Sequence, residues 1–323
     1  MRAITRQAYG SADVLGLGEV AEPVPGDDEV VLRVRAAGVD QGVWHVLTGL
    51  PYVMRLGTGL RGPKSPFVGT DVAGEVRAVG AGVTAYKPGD RVFGTCGAAY
   101  AEYACAPAGR LVPMPANLSY EQAAAIPTAG MTALRALREA GRVRPGQRVL
   151  VIGAGGGVGT FAVQLAAHFG AHVTGVCSGS KAELVRSLGA EDVVDYTRED
   201  FADGRRPRYD LILDTAGLRP LSHLRRALTP RGTFVIVGGE GGGRWLAGLD
   251  RQLRTVLLGP FTRQRPRVVF AFPREADLRT LAELAGDGRI KAVVSGTYPL
   301  EQVPEAIREL EKGHVHGKLV ITL

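Results

Sequence analysis

The residues with the clearest chemical purpose are Gly153-Ala154-Gly155-Gly156-Gly157-Val158-Gly159. They lie between the apolar run Val149-Leu150-Val151-Ile152 and a stretch in which Val158, Phe161, Ala162, Leu165, Ala166 and Phe169 recur at helical spacing. A strand, a glycine turn and a helix in that order can hold a pyrophosphate. Missing side chains permit a tight turn and close approach of the phosphates, while the helix N-terminus supplies free N–H groups and a partial positive charge. Gly155, Gly156, Gly157, Val158 and Gly159 are therefore candidate dinucleotide contacts. A glycine run can be no more than a pliable loop, but a flanking strand and helix within one βαβ unit favour binding.

The second strand of that unit, His172 to Cys177, runs into Ser178-Gly179-Ser180-Lys181. In the usual fingerprint an acidic residue stands there and accepts hydrogen bonds from the adenosine ribose. Here no carboxylate ends the strand to repel a 2′-phosphate, and Ser178, Ser180 and Lys181 offer two hydroxyls and an ammonium. NADPH is the expected cofactor. Ser180 and Lys181 also suit an N-cap and an exposed first helical residue, and the two readings are compatible.

These groups need a scaffold, and the chain supplies alternating elements. After Lys181 to Leu188, read as a helix, come strands at Asp192-Val193-Val194-Asp195 and Tyr209 to Asp214, then a helix with Leu221, Leu224 and Leu228 inward, then a strand from Thr233 to Val237. Such alternation predicts a doubly wound parallel sheet, which binds ligands at the carboxyl ends of its strands. That rule nominates Thr215-Ala216-Gly217 and Gly238-Gly239-Glu240 as neighbours of the nicotinamide.

Residues 1–118 are punctuated by turns such as Pro25-Gly26-Asp27-Asp28 and Lys87-Pro88-Gly89-Asp90, with strands at Glu29 to Arg35, Val72 to Val79 and Arg91 to Gly94. Ser119 followed by Gln122 is a capping-box pattern that opens an alanine-rich helix, interrupted at Pro127. The expected division is 1–118, 119–262 for the cofactor domain, and 263–323, with helices at Leu278 to Ala285 and around Val303 and Ile307 and a last strand at Lys318 to Ile321.

Composition bounds the rest. A chain of 323 residues, 45% hydrophobic and 22% charged, is long enough for two domains and is neither disordered nor fibrous. No run reaches transmembrane length and the N-terminus lacks a signal-peptide core, so the expectation is a cytoplasmic protein without membrane contact. Cys96, Cys105 and Cys177 show no metal or disulfide spacing and read as thiols in a reducing compartment. The net charge of +7 includes clusters at Arg205-Arg206-Pro207-Arg208 and from Arg263 to Arg267. Neither carries interleaved aromatics, so both read as solvated loops and no nucleic acid is expected.

Several spaced motifs then carry a resemblance over essentially the whole chain. They are Ala37-Gly38-Val39-Asp40, Val68-Gly69-Thr70-Asp71-Val72-Ala73-Gly74-Glu75-Val76, Gly89 to Gly94, Tyr100-Ala101-Glu102-Tyr103, Ile126 to Ala133, and Gly156-Gly157-Val158-Gly159. The chain resembles the zinc-independent quinone oxidoreductase branch of the medium-chain dehydrogenase/reductase superfamily. The resemblance implies an α/β protein with a GroES-like β-rich substrate domain, built from N- and C-terminal segments, around a Rossmann doubly wound parallel-sheet domain. A homodimer is the commonest assembly it implies.

Zinc alcohol dehydrogenases of that superfamily carry Cys where this chain has Asp40 and a His-Glu pair where it has Thr70-Asp71. The departure implies no metal, because Thr is a poor zinc ligand and two carboxylates make an unusual site. His314 and His316 read as surface residues. Without a Lewis acid, the expected reaction is hydride transfer from NADPH to a quinone or α,β-unsaturated carbonyl, whose negative charge moves to an oxygen that hydrogen-bond donors stabilise. An enoyl reductase dedicated to one biosynthetic intermediate and a non-catalytic NADPH-binding regulator are the alternatives.

The resemblance makes Thr128 a neighbour of the nicotinamide and places Lys181 and Tyr196 along the adenosine phosphate. It puts the acceptor near Asp40-Gln41-Gly42-Val43-Trp44-His45 and Tyr52. His45, standing where a tyrosine is common, is the candidate proton donor, because its ordinary pKa lies near neutrality. It is equally a helix-surface histidine. Asp40 either orients His45 or the substrate, or caps the helix that follows. Trp44 and Tyr52 are candidate pocket walls.

Overall fold

The computed structural model describes residues 1–323 except 239–244, 247, 260–261 and 270–271. In its first stretch strands β1 (Arg2–Arg6), β2 (Leu15–Glu19) and β3 (Glu29–Val39) precede helices α1 (Gln41–Thr48) and α2 (Arg55–Thr58). Strands β4 (Asp71–Val79), β5 (Arg91–Thr95), β6 (Tyr103–Pro107) and β7 (Leu111–Pro113) follow, then α3 (Tyr120–Ala124) and α4 (Pro127–Arg135). Next come β8 (Arg148–Ile152), α5 (Gly157–His168), β9 (His172–Cys177), α6 (Ala182–Ser187), β10 (Asp192–Asp195), β11 (Tyr209–Asp214), α7 (Leu221–Ala227), β12 (Leu228–Ile236), α8 (Leu249–Leu258) and β13 (Arg265–Val268). The chain closes with α9 (Glu275–Gly286), β14 (Val294–Pro299), α10 (Val303–Glu311) and β15 (Lys318–Thr322).

Two compact units result: Met1–Met131 with Phe272–Leu323, and Thr132–Ala271. The first holds a seven-stranded sheet ordered β14-β15-β3-β4-β5-β7, with β6 paired to β3. Its C-terminal strand β15 runs antiparallel to β3, matching Leu319 with Val39 and Ile321 with Ala37. That register brings Lys318 beside the end of β3, where α1 begins. Leu32, Val34, Val72, Val92, Leu300, Val303, Ile307 and Leu319 belong to its buried core. The capping box at Ser119 and Gln122 is formed, and α3 packs on β3 and β4, so residues 120–131 lie with the first unit rather than after a boundary at 118.

The second unit carries a six-stranded sheet, order β10-β9-β8-β11-β12-β13, with every pairing parallel. Leu150, Ile152, Val176, Ile212, Phe234 and Ile236 are among its buried core residues, as expected of strands covered on both faces. Two sequence readings are corrected here. The run from Arg263 to Arg267 is not a solvated loop over its length: 265–268 form the edge strand β13, with Pro266 buried against Phe234's strand and Arg265 and Arg267 turned to solvent. Arginine side chains at an edge hide a strand from a reading based on apolar alternation. Leu228 likewise opens β12 rather than lying on the inner face of α7.

Candidate active site

In the second unit the glycine turn is built by three different demands. Gly153 has φ +81°, a left-handed conformation, and a Cβ there would stand 2.5 Å from Thr215 Oγ1. A Cβ on Gly159 would meet the Gly153 carbonyl oxygen at 2.0 Å, so that glycine lets α5 pack on β8. Gly156 differs, because a Cβ there would have only the Gly153 oxygen near it, at 3.4 Å. The space in front of Gly156 is left open by the protein.

Gly156 is also the N-cap of α5, and no side chain caps the helix. The first-turn amides of Gly157, Val158 and Gly159 therefore keep the helix's orphan N–H character. Gly156, Gly157 and Val158 are half-buried and Gly155 is buried. The stem of Lys181 lies over Gly155, where a Cβ would stand 2.6 Å from its Cδ. Burial holds the Lys181 pKa below the ordinary lysine value, offset in part by Cys177.

Ser178 and Tyr196 follow the paired ends of β9 and β10, where Asp195 faces Cys177 in register and the Tyr196 N–H donates to the Cys177 carbonyl at 3.2 Å. Ser178 and Ser180 share a hydroxyl contact of 3.1 Å, and neither caps α6. Asp195 itself is a residue that the sequence reading passed over as strand. A Cβ on Gly179 would stand 2.6 Å from its Oδ2, so a carboxylate does border the turn that carries Ser178 and Lys181. Hydrogen bonds from Thr197 hold Asp195 below the usual carboxylate range.

Thr215 and Gly238 sit past the carboxyl ends of β11 and β12. The Thr215 hydroxyl donates to the Ile152 carbonyl at 2.8 Å, and the Gly238 N–H donates to Asp214 O at 3.4 Å. Thr215 thus borders Gly153 and the end of β8, and Gly238 borders the end of β11. Gly239 and Glu240 lie outside the described residues.

In the first unit the polar residues form a buried charge cluster. Asp71 is fully buried and accepts from the Thr128 backbone N–H at 3.1 Å and the Thr128 hydroxyl at 2.5 Å, both on Oδ1. Its Oδ2 faces the buried Lys318 Nζ at 3.3 Å, and that ammonium stands 3.7 Å from Asp40 Oδ2. Two carboxylates and one ammonium leave the cluster with one excess negative charge when all three are ionised. Burial accordingly pushes Asp71 up to about 6, opposed by Lys318 and Thr128 and assisted by Asp40. The juxtaposition joins positions 247 apart in sequence.

Asp40 does cap α1, its Oδ1 accepting from the Val43 N–H at 3.1 Å. Its Oδ2 is buried with no hydrogen-bond partner among the described residues and stands near Lys318. His45 Nδ1 lies 2.9 Å from the Leu50 carbonyl. A carbonyl only accepts, so Nδ1 carries the proton and neutral His45 has its lone pair at Nε2. Burial lowers the His45 pKa, with the Leu50 contact and Asp40 opposing. Trp44 donates its N–H to Glu311 at 2.7 Å, and the Tyr52 ring receives the Arg55 guanidinium 4.7 Å above its centre. Neither lines the cavity in this unit that is walled by Arg6, Val43, Val46, Lys64 and Thr70, among others.

Zinc finds no donor set among the described residues, where no three His, Cys, Asp or Glu side chains gather. The carboxylates of Asp40 and Asp71 are bridged by the Lys318 ammonium. Cys96 is buried and its thiol is pushed up to about 12 by that burial. No helix among the described residues is long and apolar enough to cross a membrane.

Residues 26–116 match the alcohol dehydrogenase GroES-like domain and residues 188–321 match a domain described as zinc-binding dehydrogenase. A chloroplast envelope quinone oxidoreductase homolog of Arabidopsis thaliana is 31% identical over 340 aligned positions, covering 99% of this chain and 98% of its own. The quinone oxidoreductase of Coxiella burnetii superposes with a TM-score of 0.86 at 28% identity, covering 100% of this chain and 99% of that one. The Escherichia coli quinone oxidoreductase, solved in complex with NADPH, does so with a TM-score of 0.84 at 26% identity and full coverage of both, 100% each. With the fold, the glycine turn and the sequence match in agreement, this chain belongs to the quinone oxidoreductase-like branch of the medium-chain dehydrogenase/reductase superfamily.

Proposed function

We propose that this protein is an NADPH-dependent, metal-free oxidoreductase that passes hydride to a quinone or an α,β-unsaturated carbonyl. The observation that carries the reading is the uncapped N-terminus of α5 at Gly156, open to a ligand and flanked by Lys181. An anion is stabilised at such a helix end by free amides and by the helix dipole. The relative from Escherichia coli, solved with NADPH, supports the choice of cofactor.

Bound NADPH would supply the hydride. In this reading the amides of Gly157, Val158 and Gly159 hold the pyrophosphate, and Ser178 and Lys181 hold the 2′-phosphate against the opposing field of Asp195. Tyr196 borders the adenosine, and Thr215 and Gly238 shape the nicotinamide end. Thr128, whose O–H is directed to Asp71, is the nicotinamide neighbour that the family resemblance implies. Lys318 offsets part of the charge of Asp40 and Asp71 where the family resemblance puts metal ligands in zinc enzymes, which supports chemistry without a Lewis acid. His45 protonates the reduced acceptor only from its imidazolium form, since its neutral form carries the Nε2 lone pair.

The reading includes a homodimer, supported by the exposed Leu253, Val256 and Leu257 along α8; light scattering at the monomer mass of 34.1 kDa would remove that part. The test of the whole is NADPH absorbance during incubation of chelator-treated protein with a quinone, an enone and a saturated aldehyde. Consumption with the first two alone is expected. Consumption only after zinc is restored would refute it.

A further inference from the structure

The first unit contains a cavity of about 240 Å³ whose lining includes Arg6, Lys64, Ser65, Thr58 and Thr70 and no carboxylate. Arg6 is 3% exposed, yet no acidic side chain among the described residues pairs with it. Its two hydrogen bonds both leave from Nη1, to the carbonyls of Val46 and of Leu47 near the C-terminus of α1, the latter at 2.9 Å. Nε is buried without a partner, and Nη2 makes no hydrogen bond to a described residue. Burial alone pulls the Arg6 pKa below the ordinary arginine value, with only Tyr9 opposing.

Capping α1 accounts for Nη1, and the guanidinium carbon lies 5.3 Å from the centre of the Tyr9 ring. Nε is buried beyond the reach of a ligand, so Nη2 is the guanidinium donor left for an anion. A buried charge left with unmet donors is costly unless something completes it. Lys64 adds a second cation on the same wall, and it is exposed with no ion pair among the described residues. Both cations face a space bounded by Val43 and Val46 of α1, the helix that carries Asp40 as its cap and His45 within it.

We infer that this cavity is an anion subsite in which Nη2 of Arg6, assisted by Lys64, binds the carboxylate of an acidic acceptor. The inference rests on the reductase reading in naming the ligand as an acceptor. It narrows the substrate class from neutral quinones and enones to conjugated carbonyl compounds bearing a carboxylate.

The test uses the full chain and two matched pairs. Levulinate and methyl levulinate, which cannot undergo conjugate reduction, are titrated by ligand-observed NMR; (E)-4-oxopent-2-enoate and its methyl ester are compared for kcat/KM with NADPH. The acid is expected to exceed the ester by about tenfold or more in both measurements, as for one charge-assisted hydrogen bond. Arg6→Met should bring that ratio to near one, Arg6→Lys should leave a reduced preference, and Lys64→Met, on the surface, should lower it without threatening the fold. Equal affinity for levulinate and its ester, or no binding of either, would overturn the inference, as would a ratio that survives both Arg6→Met and Lys64→Met. Arg6-dependent binding of levulinate without reduction of either enone would leave the subsite standing and remove the reductase reading. Reduction of both enones with no preference for the acid would do the reverse.

Discussion

Replacing Lys318 with Met should make folding stability depend on pH in a way the native protein does not show. In the native cluster Asp71 titrates at about 6, above the unfolded value near 3.9. A carboxyl raised by folding contributes its stability below the unfolded pKa and loses it as pH rises to the folded pKa, so the Asp71 contribution stops changing above about 6. Lys318 is the main force pulling that pKa down apart from Thr128. Without it the Asp71 pKa climbs past 6 and the loss continues. The slope is about 1.4 kcal/mol per pH unit while the native carboxyl stays protonated, so the extra destabilisation between about pH 6 and pH 8 approaches about 2.7 kcal/mol. That is below the roughly 3–5 kcal/mol expected for a stranded buried charge, because protonation offers the carboxyl an escape. Urea unfolding of both proteins at several pH values measures it, and Asp71→Asn on the Lys318→Met background should remove the added slope. A destabilisation by Lys318→Met that is constant from pH 6 to pH 8 would refute the charge-cluster reasoning.

Gly156→Val should fold normally and lose NADPH binding, since a Cβ there meets no protein atom closer than 3.4 Å; retained affinity in a fluorescence titration would remove the loop from the cofactor site. Lys181→Ala should weaken NADPH by about 1–2 kcal/mol with little effect on NADH, and Asp195→Asn should shift the ratio the opposite way; equal changes for both cofactors would exclude a phosphate role. For His45, turnover should fall as pH rises through a value below 6.5, because burial lowers its pKa and only the imidazolium donates; His45→Phe should flatten that limb, and a native profile with its inflection above 6.5 would contradict the assignment.

The parts of the fold legible in the sequence were those written in local period. The switch from Val149-Leu150-Val151-Ile152 to helical spacing after Val158 located β8 and α5, and Ser119 with Gln122 marked α3 through a contact three residues long. Edge and hairpin strands were less visible. Leu15-Gly16-Leu17-Gly18-Glu19 pairs with β1 but is mostly exposed and glycine-rich, and Arg265-Pro266-Arg267 carries charge and proline through an edge strand. The candidate site was legible by residue type and not by partner. Asp40 gave its capping role to the sequence, but Lys318 read only as the start of a strand until β15 paired with β3 and set it against Asp71. Arg6 similarly meets the end of α1 across 40 positions. No local pattern encodes such meetings, which depend on sheet register.

The most direct measurement of the central claim follows the hydride itself. NADPH deuterated at its transferable position would be turned over with an enone by protein whose metal content has been assayed, and the product analysed by deuterium NMR. Deuterium at the β-carbon of a saturated ketone, formed by metal-free protein, is the predicted result. Deuterium on the carbinol carbon of an allylic alcohol, or label transfer only by zinc-loaded protein, would contradict it.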